Sequence, residues 1–103
     1  MYHIIFYSPE SHVENIKKQM FNVGAGKIGN YRFCSWQTLG EGQFMPTKNS
    51  NAYIGTQNKI EKVKEYKVEM ISDNNSIKKV IQALKTSHPY EEPAYFIFKM
   101  ETI

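Results

Sequence analysis

Cysteine is almost missing from this chain of 103 residues: Cys34 is the only one. A lone thiol excludes an internal disulfide and a multi-cysteine metal cage, and it gives no reason to place the chain in an oxidising compartment. Long apolar runs are missing too. The N-terminal "MYHIIFYSPESH" has no basic leader, and its run is too short for a signal peptide or a membrane span. A cytoplasmic location, without a membrane partner, is the expectation. Excess charge of one sign is also lacking: thirteen basic residues face ten acidic ones, a formal charge of +3. The most charged stretch, "KIEKVKEYKVE", interleaves both signs and makes no strong positive field, so no nucleic-acid partner is expected.

Aromatic side chains are plentiful. They supply 14% of residues and are spread along the chain, so one core without covalent staples is feasible for a single domain spanning residues 1–103. "YHIIFY" reads as a buried strand. Ser8 and Pro9 then suggest an N-cap and first helical residue, and Val13, Ile16, Met20 and Val23 form one helical stripe, closed by a C-terminal cap at Gly24. In the second half "EYKVEMI" alternates as a strand does. Asp73 to Ser76 offer caps for a helix with the stripe Ile77, Val80, Ile81 and Leu84, and Pro89 stops that helix before a last strand, "AYFIFKM".

All six glycines fall between these halves. There "YRFCSWQTL" reads as a strand and residues 40–51 as a long mobile loop. Strand–helix–strand, loop, strand–helix–strand is the split βαβ pattern of the ferredoxin-like fold (βαββαβ), an α+β sandwich of four antiparallel strands with both helices on one face. The other face should then be polar in a monomer. Yet the strands are apolar on both parities, with Ile4 and Phe6 but also Ile5 and Tyr7, and Phe96 and Phe98 but also Tyr95 and Ile97. Such a face is expected to be covered, either by a second copy in a homo-oligomer or by the long loop folding back.

Two stretches carry a resemblance. "GAGKIGNYRFCSWQTLGEGQFMP", followed by Ile54 and Gly55, and "HPYEEPAY" resemble the inserted middle domain of the YqfO-type, NIF-three-like proteins, the family labelled "GTP cyclohydrolase type two homologue". The likeness runs from "FYSPESHVENI" onward. That insert is similar in fold to the CutA divalent-ion tolerance proteins, which carry a related "HPYE-P" phrase, and to PII signalling proteins. The resemblance implies a CutA/PII-like fold and trimers formed through the sheets. In the long family members, residues of flanking domains hold two metal ions, and this sequence resembles the insert alone. What is implied is therefore an oligomeric binding or regulatory module, not an enzyme by itself, with ligand sites at clefts between subunits for a small molecule or a partner protein. A divalent-ion tolerance protein like CutA is the alternative.

The candidate sites carry competing structural readings. "GAGKIGNY" has no phosphate-loop spacing and follows a helix instead of preceding one, so capping and chain reversal explain its glycines; Lys27 and Asn30 stay candidate ligand contacts if a neighbouring subunit completes a cleft. The loop at 40–51, with Glu41, Gln43, Phe44 and Met45, corresponds by the resemblance to the partner-engaging loop of PII proteins, or else packs on a neighbouring subunit. In "HPYEEP", His88 and Glu91 are the candidate ligands for a divalent metal ion, the one cofactor the segment admits, and Tyr90 is a candidate ligand contact. The alternative is a stiff connector in which Tyr90 packs and the glutamates meet lysines or a subunit boundary. Cys34 is expected to pack on the same strand face as Trp36.

Overall fold

The alternation and the helical stripes meet in one core. The computed structural model describes all 103 residues, ordered β1 (Tyr2–Pro9), α1 (Val13–Asn22), β2 (Trp36–Phe44), β3 (Glu61–Ser72), α2 (Ile77–Ser87) and β4 (Tyr95–Lys99). The sheet order is β2-β3-β1-β4, antiparallel throughout. This is the ferredoxin-like arrangement, with both helices on one face. Ile4 and Phe6 of β1 and their partners Met70 and Val68 of β3 point into the core. Val13, Ile16 and Met20 of α1 and Val80 and Leu84 of α2 meet them there, all buried. Each such side chain contributes roughly 1.5–3 kcal/mol on burial. No helix is long and apolar enough to cross a membrane.

Three local expectations are corrected. Ser8 and Pro9 do not start a helix. They stay in β1 opposite Tyr66 and Glu65, and α1 begins at Val13 after a turn in which the His12 amide donates to the Pro9 carbonyl. Ladder pairing with the long β3 holds both residues extended. "YRFCSWQTL" is not one strand either. Phe33 has φ 58°, which no strand tolerates, and its ring packs 5.6 Å from Phe21. Cys34 therefore precedes the strand and does not share a strand face with Trp36. Finally, residues 40–44 are strand and not loop: Gly40 to Phe44 pair with Glu65 to Glu61. The loop proper is residues 45–60.

Gly24 closes α1 as its sequence position suggests. The Ala25 amide donates to the Met20 carbonyl and the Gly24 amide to that of Phe21, the paired bonds of a Schellman cap. Gly24 has φ +119°, and a Cβ there would press on Ser76 at the start of α2. The Gly24→Ala variant should lose about 1–3 kcal/mol of stability from backbone strain and this contact, read as a lower urea midpoint. At α2 the Ser76 amide donates to Asp73 Oδ1 at 2.7 Å, and that bond holds the Asp73 carboxyl below its usual pKa.

Candidate functional site

β3 is longer than β1. β1 ends opposite Glu65, so residues 61–64 pair only with 41–44 of β2, and the two strands continue as an arm that lengthens the molecule to 46 Å. From the end of this arm the loop 45–60 folds back toward the "HPYEEP" segment. The Asn51 amide donates to Glu91 Oε2 at 2.9 Å. The Tyr53 ring lies 6.2 Å from Tyr90 and 5.9 Å from His12, and Phe44 lies 6.2 Å from Tyr90 on another side. Aromatic pairs at these separations are attractive beyond their burial.

His88 anchors the other wall. It is the C-cap of α2, turned out to ψ 135° ahead of Pro89. The residue is 7% exposed. Nε2 lies 2.6 Å from the Tyr7 carbonyl, and the Tyr90 amide donates to Nδ1 at 3.1 Å. Only the neutral tautomer with its proton on Nε2 satisfies both bonds. Burial pushes the His88 pKa below 6.5, against the opposing pull of the Tyr7 carbonyl. As folded, neither ring nitrogen is available to a metal ion. No three of the chain's His, Cys, Asp or Glu side chains come together as a metal site.

Between these walls is a cleft of about 530 Å³, lined by Tyr7, Phe44, Tyr53 and Tyr90 among others. That size and its apolar walls suit a small molecule. Tyr90 Oη, in its wall, is buried and has no partner at full hydrogen-bonding geometry, with the Glu65 carboxylate as its polar neighbour. Burial and then the nearby Glu65 carboxylate push the Tyr90 phenol far above its ordinary pKa. Glu65 reaches over the backbone of Gly42, where a Cβ would collide with its carboxylate. Glycine at 42 is thus the condition for Glu65 to enter the cleft.

The structure separates the sequence candidates. Tyr90 and Glu91 line this cleft. Lys27 is at the other end of the strands, where the Gly26 amide donates to the Ile71 carbonyl, and it lines a recess of about 440 Å³ with Arg32, Ser76 and Lys79. Asn30 is exposed at the tip of a turn closed by reciprocal bonds between Ile28 and Tyr31. Within one chain these residues do not meet Tyr90. Phe44 was marked in the sequence only as part of the partner-engaging loop, and Tyr7, Tyr53 and Glu65 were not singled out at all. These four come from β1, the end of β2, the loop and β3, and they meet through the strand pairing and the fold-back of the loop.

The sheet face away from the helices stays open. Trp36, Phe96 and Phe98 are 67%, 51% and 54% exposed, with Glu69 and Ile5 between Trp36 and Phe96 in the register and His3 opposite Phe98. His3 bonds Glu69 at 3.1 Å near the middle of this face. The loop 45–60 does not cover these three rings.

Comparison with known proteins places this geometry. No family model matches the chain. It is 37% identical over 100 residues to a protein of Halalkalibacterium halodurans named GTP cyclohydrolase 1 type 2 homolog, a match covering 97% of this chain and 27% of that protein. Among solved structures, a Bacillus cereus protein related to NIF3 superposes with a TM-score of 0.84 at 33% identity, over 98% of this chain and 26% of that one. The CutA divalent cation tolerance protein of Archaeoglobus fulgidus superposes with a TM-score of 0.68 at 18% identity, over 99% of this chain and 86% of that one, a likeness of fold. The chain spans about a quarter of the length of the curated relatives it matches. Along nearly its whole length, then, it is homologous to one segment of the NIF3-related proteins named GTP cyclohydrolase 1 type 2 homolog, and it has the CutA-like, ferredoxin-type fold.

Proposed function

We propose that the chain is a cytoplasmic binding module without catalysis of its own, which takes a small ligand in the cleft beside Tyr90 and assembles with its own copies, as a trimer, through the open sheet face. The observation that carries the ligand reading is the unpartnered Tyr90 hydroxyl buried in the wall of a cleft of about 530 Å³. A buried hydroxyl left without a partner is unfavourable by about 1–3 kcal/mol, so a ligand that satisfies it gains that much over one that does not. Glu65 supports the same reading, since a half-buried carboxylate poised over Gly42 has no cation within ion-pairing distance.

A thermal-shift panel of nucleotides, carboxylates, amines and divalent ions tests it. At a hundredfold excess over its Kd, a ligand stabilises the folded chain by about 2.7 kcal/mol, which for a domain of this size moves Tm by on the order of 10 °C. At least one organic class should produce such a shift, and Tyr53→Ala should abolish it. A flat response across the panel, or a shift untouched by Tyr53→Ala, defeats the cleft as the site.

A further inference from the structure

The charge of the cleft runs against the charge of the chain. Basic residues outnumber acidic ones thirteen to ten. Yet three carboxylates line the cleft, those of Glu65, Glu91 and Glu92, and no lysine, arginine or histidine lines it, His88 lying behind Tyr90. None of the three has an ion-pair partner, since the chain's ion pairs are His3–Glu69 and Glu14–Lys17. Glu91 is engaged only by the Asn51 amide. Glu65 is half-buried while Glu91 and Glu92 stay exposed at the rim, and carboxylates so placed repel a phosphate or a carboxylic acid and favour a cation.

The kind of cation follows from how the groups are spread. A metal ion needs several donors converging within about 2.0–2.6 Å, and no three acidic, histidine or cysteine side chains of this protein converge. An organic ammonium is larger and needs no such point. Its N–H groups can donate to a carboxylate and to a phenol oxygen at separate places, and its charge is attracted to aromatic faces within about 6 Å. Phe44, Tyr53 and Tyr90 form such a wall, and Tyr90 Oη, beside Glu65, offers lone pairs to which no group of the chain donates. Resting on the reading of the cleft as a binding site, we infer that its ligand is a small organic cation, an alkyl- or arylalkyl-ammonium held by Glu65 and Tyr90 Oη against the rings of Phe44 and Tyr53.

The test titrates the nitrogen-15-labelled full chain with three probes of one shape: phenethylammonium, 3-phenylpropionate and 2-phenylethanol. The amide shifts of Gly42, Tyr53 and Tyr90 are followed. Phenethylammonium should shift these amides saturably, with the acid and the alcohol at least tenfold weaker. Glu65→Gln, which keeps the shape and removes the charge, should weaken the ammonium about tenfold while the spectrum stays dispersed. Tyr90→Phe should weaken it too with every ring kept in place. Equal or tighter binding of the acid or the alcohol at the same amides overturns the cation class and leaves the cleft standing as a site. No shift from any probe also overturns the cation class, and the thermal panel then decides the cleft itself. Ammonium binding that ignores both variants overturns the assigned contacts.

Discussion

Replacing His88 with alanine is expected to lower the unfolding free energy by about 2–4 kcal/mol and to dissolve the cleft wall. The ring is the only partner that the structure gives the Tyr90 amide, and it also holds the Tyr7 carbonyl. Its removal leaves both part-buried backbone groups to be rehydrated or orphaned, and opens a void beneath the "HPYEEP" segment. Urea unfolding of the variant reads the loss directly. A change below about 0.5 kcal/mol, the range of ordinary surface substitutions, would show that the ring is not a structural clip.

The same histidine should make stability fall in mild acid. Its folded-state pKa lies below the 6.5 of the unfolded chain, because burial disfavours the charged ring. Between those two values the unfolded chain binds more protons than the folded one, so stability drops as pH falls. The contribution is fully present above pH 6.5 and is lost as pH falls from there through the folded pKa. Urea midpoints measured at pH 7.5 and 5.5 should therefore differ more in the native chain than in His88→Gln. Equal differences in the two would mean that another group carries the slope.

Substituting Phe98 with glutamate is expected to convert the proposed assembly to monomer. Phe98 is half exposed on the open face, its ring tilted beside His3 at 6.5 Å, and it is outside the buried core. A charge there adds little strain to the fold but must be desolvated in any contact between sheets. Equilibrium sedimentation should show the native chain at a multiple of its own mass and the variant at one, with the urea midpoint of the isolated chain nearly unchanged. A native chain that sediments as a monomer at micromolar concentration removes the assembly from the proposal.

Element order and helix stripes were legible because they rest on local periodicity: Ile16, Met20, Val80 and Leu84 are buried where a 3.6-residue repeat puts them. β2 was misplaced for a reason equally local. Gly40 and Gly42 look like loop residues in isolation, but the ladder to β3 overrides their propensity. Gly42 is small because a carboxylate from the neighbouring strand crosses it, which nothing near position 42 announces. Histidine and glutamate close together in "HPYEEP" suggested metal chemistry; the fold turns the His88 ring inward to the chain's own backbone instead. The acidic, aromatic character of the cleft was beyond reach of any window, because Tyr7, Phe44, Tyr53, Glu65 and Tyr90 meet only in three dimensions.

The arm formed by residues 41–44 and 61–64 has a thermodynamic consequence of its own. Paired only within itself, it can open without disturbing the register of Phe6 with Val68, so its amides should exchange with solvent through a small local fluctuation. Amides of the central strands are released only by global unfolding. The cleft has one wall on each of these two cooperative units. A molecule that grips both slows exchange along the arm by its own binding free energy, so the protection factors of residues 61–64 become a gauge of occupancy.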